Sequence, residues 1–111
     1  MTSALHDAPQ LSAEPMELLR GMLEDQFAVE TARLTQLTVY GRLPRRGGYD
    51  KHTLEVLAAS IRQRIADTAQ ALRRMSDGTY GICADCGRPI PLGRLRTAPA
   101  AAHCAPCERS H

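Results

Sequence analysis

Two long stretches of this chain alternate apolar and polar residues at helical spacing, and a glycine-rich break separates them. From about Pro15 to Val39, Met16, Leu19, Leu23, Phe27, Leu34 and Leu37 recur near three- and four-residue intervals, with Leu18, Met22 and Val29 widening the stripe. Ser12 is placed to cap this helix, Pro15 is tolerated in a first turn, and Glu14 and Glu17 suit the positive end of the helix dipole. Residues 1–14 are polar and proline-bearing and read as a flexible tail. A second stretch runs from about Asp50 to Ser76. There Leu54, Leu57, Ile61, Ile65, Thr68, Leu72 and Met75 follow steps of 3, 4, 4, 3, 4 and 3, close to a heptad seam. Asp50 or Thr53 is its expected N-cap, Arg73 and Arg74 suit its last turns, and Gly78 its stop. Between the two, residues 40–49 (YGRLPRRGGY) hold three glycines and a proline and predict a turn.

Each helix is about 25 residues, or roughly 38 Å long. Neither can bury its stripe alone, and a short connection makes them antiparallel neighbours. The expected fold is therefore mainly α: an antiparallel, coiled-coil-like helical hairpin over residues 15–78, with helices at 15–39 and 50–76 and a tip at 40–49. Residues 79–111 form a small module after it. A rod of this kind is poor architecture for enclosing a substrate pocket.

Composition agrees. The chain has 111 residues, enough for one domain or a domain with a small module. Aromatic residues are 4% and tryptophan is absent, which disfavours both a β-sandwich and an aromatic platform for single-stranded nucleic acid. No apolar run is long enough to span a bilayer, and the first residues lack the pattern of a secretory signal. A cytoplasmic protein is expected. The net charge of +2 conceals an asymmetry: residues 1–39 carry −4, residues 40–78 carry +4 and residues 79–111 carry +2. Two helices of opposite charge lying side by side would account for the first two values. A basic surface for nucleic acid or an acidic partner is the alternative.

The four cysteines follow the pattern Cys83-x2-Cys86, then seventeen residues, then Cys104-x2-Cys107. That is the spacing of a four-cysteine zinc site. Two cysteines three apart on a tight turn can aim both sulfurs at one centre, and two such turns close a tetrahedral site. With every position filled by protein, the one metal ion is structural. Disulfides would require an oxidising compartment, a redox pair would need only one Cys-x-x-Cys, and ligand count alone also admits an iron–sulfur cluster. His103 reads as an exposed neighbour, because four thiolates already saturate zinc. Arg88, Arg94, Arg96 and Arg109 are placed to offset the negative charge of such a centre. Between the pairs, Ile90, Leu92 and Leu95 are the expected core contacts.

The run from Asp77 to Pro91 (DGTYGICADCGRPIP), the Arg94-Leu95 step and the Cys104/Cys107 pair resemble the DksA/TraR family of C4-type zinc finger proteins. The preceding hairpin fits the family in pattern. The resemblance implies a bacterial transcription regulator that binds RNA polymerase directly and reads no operator sequence. Founding members insert the hairpin tip into the polymerase secondary channel and alter the lifetime of open promoter complexes, sometimes with ppGpp. Their tips are acidic. Here the tip is basic, with Arg42, Arg45 and Arg46 beside a single carboxylate, Asp50. These four are the expected partner-binding residues. A monomer is expected. The alternatives are a nucleic-acid-binding zinc module, through Arg88, Arg94, Arg96 and Arg109 with Arg45 and Arg46, or a coiled-coil adaptor. An enzyme is not: the chain shows no nucleophile–base pair, phosphate loop or open metal site.

Overall fold

The structure, a computed structural model, describes residues 11–110. Helix α1 spans Ala13–Arg42 and helix α2 spans Lys51–Asp77; they pair as a hairpin. Two short helices follow, α3 over Leu92–Thr97 and α4 over Ala105–Arg109. Among the described residues there is no strand, only an isolated antiparallel bridge between Ile82 and Pro89. The molecule is a rod of 66 × 29 × 21 Å. None of the described helices is long and apolar enough to cross a membrane.

The helix ends differ from the expected ones for identifiable reasons. Helix α1 starts at Ala13 rather than Pro15, with Ser12 at the N-cap position but no side-chain bond from it. Pro15 then sits third in the helix, where its missing N–H would have had no intrahelical partner. Of the expected tail, residues 11–14 thus include the helix start, and Leu11 packs against the core; the rest of that tail lies outside the described residues. At the other end α1 continues through Tyr40 and Gly41. Leu43 stops it, held extended at φ −84° and ψ 151° by the following Pro44. Helix α2 begins on Asp50, whose carboxylate accepts from the Thr53 amide at 2.8 Å and from the Thr53 hydroxyl at 2.9 Å. It ends on Gly78 at φ +79°, a left-handed cap.

The seam of α2 is as expected: Leu54, Ile61, Thr68 and Met75 are buried at a seven-residue repeat, with Leu57, Ile65 and Leu72 half-buried beside them. In α1 only Leu19, Leu23 and Glu30 are buried. Phe27, placed on the stripe by a 3.6-residue period, is 38% exposed. A helix packed in a hairpin keeps a 3.5-residue seam, and by that repeat Glu30 takes the place facing α2. The opposite charges of the two helices meet there, as Arg64 Nε lies 3.0 Å from Glu30 Oε2.

The main core lies at one end of the rod. Leu19 and Leu23 of α1, Ala71 and Met75 of α2, and Tyr80, Cys83, Ile90, Leu95 and Cys104 of the C-terminal module form one buried cluster. Burying a Leu side chain contributes about 1.5–3 kcal/mol, so the hairpin base and the module stabilise each other directly. Ile90 and Leu95 are buried and Leu92 packs against them, as their positions predict.

Candidate metal centre and hairpin tip

The chain leaves α2 through a tight wrap. The Arg74 carbonyl accepts from both Thr79 (2.9 Å) and Tyr80 (3.2 Å). Tyr80 then turns inward, is buried, and donates its hydroxyl to the Pro99 carbonyl at 2.8 Å. This bond ties the start of the module to the segment before its second cysteine pair. Gly81 follows at φ +86°, so the Gly81 carbonyl can accept from the Ile90 amide at 2.7 Å while Cys83 N–H reaches Arg88 O at 2.8 Å. The Cys83–Cys86 turn closes with Gly87 N–H on Cys83 O at 3.0 Å, and Gly87 takes φ +73°, a conformation suited to glycine.

The second pair is held differently. Cys104 is the N-cap of α4, and Cys107 lies three residues on, in its first turn, so both sulfurs share one side of the helix. Ala84 N–H donates to Ala102 O at 2.8 Å and brings the two pairs together. The four Sγ atoms lie within 4.8 Å of one another, with Cys86 and Cys104 at 3.7 Å. Zinc–thiolate bonds of about 2.3 Å set a tetrahedral edge of about 3.8 Å, so this sulfur set fits such an ion. The same spacing is far beyond the disulfide S–S length of about 2.05 Å.

The acid–base behaviour of the sulfurs says the same. The Cys83 thiol is pushed down to about 6, first by the backbone N–H of Cys86, against the effect of burial, and further by those of Cys104 and Asp85. The Cys107 thiol is pushed up, first by its hydrogen bond to Cys104 and then by that to Cys83. Cys83 and Cys107 are thus pushed in opposite directions, and a cation among the sulfurs would favour the thiolate of both.

The neighbours divide into those that support the centre and those that face solvent. Arg94 donates to the His103 carbonyl at 2.9 Å and lies 3.9 Å from Glu108, which steadies the approach to Cys104. Arg88, Arg96 and Arg109 are exposed. His103 stands between two carboxylates, 3.7 Å from Asp85 and 3.6 Å from Glu108. Tyr80 and its bond to Pro99 carried no signal in sequence, because the partner is a backbone carbonyl nineteen residues away.

At the far end, residues 43–50 are a series of tight turns. Leu43 N–H reaches Tyr40 O (3.0 Å), Arg46 reaches Leu43 O (3.1 Å), Gly48 reaches Arg45 O (2.8 Å) and Tyr49 reaches Arg46 O (3.0 Å). The Tyr40 and Tyr49 rings stack at 6.0 Å and 29°. Arg46 itself sits at φ +48°, an uncommon conformation for a residue with a side chain. Arg42 and Arg45 are exposed and Arg46 half-buried, and among the described residues none of the three is paired with a carboxylate. The tip is structured, and basic on its surface.

Comparison with known proteins places this geometry. Residues 78–111 match the prokaryotic dksA/traR C4-type zinc finger, so the sulfur cluster is of the zinc-binding kind. The chain is 42% identical over 50 residues to the RNA polymerase-binding transcription factor DksA of Caulobacter vibrioides, which is 45% of this chain and 35% of that protein. It is 36% identical over 50 residues to general stress protein 16O of Bacillus subtilis, 45% of this chain and 31% of that one. These matches span about a third of the length of each relative. The transcription factor DksA2 from Pseudomonas aeruginosa has the same fold, with a TM-score of 0.76 at 24% identity over 96% of this chain and 90% of that one.

Proposed function

We propose, from a dksA/traR-type finger set on the base of a DksA2-like hairpin, that this protein is a cytoplasmic transcription regulator that binds RNA polymerase directly. The observation that carries the reading is the similarity to RNA polymerase-binding DksA, joined to a hairpin and finger that share one core. Cys83, Cys86, Cys104 and Cys107 hold one structural zinc ion, which crosslinks the module and so fixes it on the rod. The protein acts as a monomer and by binding, without catalysis. The hairpin tip, directed into the secondary channel, is the contacting end.

The tip's contact chemistry is cationic. Arg42, at the end of α1, and Arg45 and Arg46, on the turn braced by the Tyr40–Tyr49 stack, present guanidinium groups that pair with no carboxylate among the described residues. Asp50, the fourth of the expected contact residues, engages Thr53 with both carboxylate oxygens. We assign it the fixing of α2 rather than direct contact. A basic tip reaches for carboxylates or phosphates, not for the metal-binding surroundings an acidic tip would seek.

The test is co-purification with purified RNA polymerase. Wild-type protein is expected to be retained, and a variant with Arg42, Arg45 and Arg46 all changed to Glu is expected to bind at least about tenfold more weakly. Absence of retention, where an established channel binder is retained, overturns the proposal. Tight binding to DNA or RNA alone, falling steeply with salt, would replace it with the nucleic-acid reading.

A further inference from the structure

On one face of the hairpin, just behind the tip, residues of α1, the tip and α2 line a shallow surface groove. Two adjoining hollows of about 270 and 310 Å³ share Gly41, Leu54 and Glu55. The groove runs from Arg46 and Lys51 at the tip to Ala58 and Arg62 one helical stretch further down, on the order of 17 Å for eleven residues of helix. Its floor is apolar, built on Leu37 and the buried Leu54. It is open because small residues stand where large ones would close it: a Cβ at Gly41 would meet nothing within 4 Å. Its rim carries three cations, Arg46, Lys51 and Arg62, against the one carboxylate of Glu55.

We propose that this groove is a docking site for an acidic segment of a protein partner that inserts one large apolar side chain over Gly41, between the cations of the rim. Charge complementarity selects the acidic character. The apolar floor and the lack of an aromatic ring among the lining residues disfavour a nucleic-acid strand, whose bases want stacking surfaces. The proposal rests on the polymerase reading above and adds to it the chemistry of the surface on the other side. It also adds residues distinct from the tip arginines, namely Gly41, Lys51 and Arg62.

Gly41→Leu separates the groove from the fold. Leucine favours helix more than glycine does, so the variant keeps the hairpin while filling the hollow. Circular dichroism checks that it does. Binding of full-length protein to purified RNA polymerase is then measured for wild type, Gly41→Leu and the pair Lys51→Glu/Arg62→Glu. Loss of at least about tenfold in affinity for both variants, with unchanged helicity, supports the groove. Wild-type affinity retained within about twofold by both variants overturns it while leaving polymerase binding intact. A wild type that does not bind polymerase at all overturns the functional reading, and the groove proposal with it. Two other results overturn the protein-segment assignment. One is loss in these variants of affinity for a single-stranded oligonucleotide instead. The other is concentration-dependent light scattering of the wild type that they abolish, which would give the groove to the acidic α1 of a second copy.

Discussion

Glu30 and Arg64 meet across the hairpin at 3.0 Å, an ion pair at a position of the seam that an apolar pair would otherwise fill. The two partners are unequal. The Glu30 side chain is 11% exposed and its Oε1 has no hydrogen-bond partner among the described residues, while the Arg64 side chain is 42% exposed and also donates to Ser60. The carboxylate carries most of the desolvation cost. Arg64→Met therefore strands a nearly buried charge and is expected to lower stability by about 1–3 kcal/mol. Glu30→Leu restores an apolar seam and leaves Arg64 with water, for an expected gain of about 1 kcal/mol. Urea denaturation of the two variants checks both signs; a loss on Glu30→Leu would show that the pair is a net stabiliser.

Two glycines should respond oppositely to alanine. Gly47 sits at φ +61° with the Tyr40 ring against it: an added Cβ would lie 2.8 Å from the ring. Gly47→Ala is expected to cost about 1–2 kcal/mol from backbone strain alone and to disturb the Tyr40–Tyr49 stack. Gly21 lies inside α1 with open space where its Cβ would be. Gly21→Ala is expected to raise stability by about 0.4–1 kcal/mol. Thermal melts and tyrosine fluorescence report both.

Tyr80 gives the fold an alkaline limit. Burial pushes its hydroxyl up to about 12, well above the ordinary tyrosine value of about 10, with Arg74 opposing the shift. The unfolded chain therefore loses this proton more readily than the folded one. The associated stability is fully present below about pH 10 and is lost as pH rises from about 10 to about 12. Tyr80→Phe removes the bond to Pro99 and is expected to cost about 1 kcal/mol near neutral pH. It should also flatten the decline over that alkaline window. Denaturation midpoints against pH distinguish the two proteins; parallel declines would remove Tyr80 from the account.

Zinc removal should be felt beyond the finger. Cys83 and Cys104 lie in the same cluster as Leu19, Leu23, Ala71 and Met75. A chelator is expected to release amide protection across the module, and with it the base of the hairpin around residues 16–23 and 71–77. The seam near Leu54 and Ile61 should stay helical. Hydrogen exchange read by mass spectrometry tests this; a hairpin base as protected without metal as with it would show that the two parts are independent.

The features legible in the sequence were those set by short-range spacing. The α2 seam, the Asp50 cap, the Gly78 stop and the two Cys-x2-Cys pairs each depend on residues within a few positions of one another. What stayed hidden depends on partners far along the chain or on the geometry of pairing. Glu30 lies off the apolar stripe read from spacing, and its place in the seam emerges only when α2 is laid against it. Phe27 reads as core until the pairing imposes a 3.5-residue seam. Gly41 reads as a break, yet Pro44, acting on Leu43, is what ends the helix. The Tyr40–Tyr49 clasp depends on the positive φ values of Arg46 and Gly47, which residue types alone do not dictate.

The off-centre core also bears on the order of assembly. Tyr40 and Tyr49 come together across a short loop, which costs little chain entropy, whereas Leu19 joins Met75 only after more than fifty residues are looped out. Pairing of the two helices should therefore start at the tip and run toward the base. The base cannot finish there, because it still lacks Tyr80, Ile90 and Leu95, and Cys104 and Cys107 leave the ribosome later still. Until they arrive and capture metal, Leu19 and Leu23 have only Ala71 and Met75 of α2 against them, and the side that the module covers stays open. For a newly made chain, the supply of zinc would then set how long its apolar end is open to chaperones and proteases.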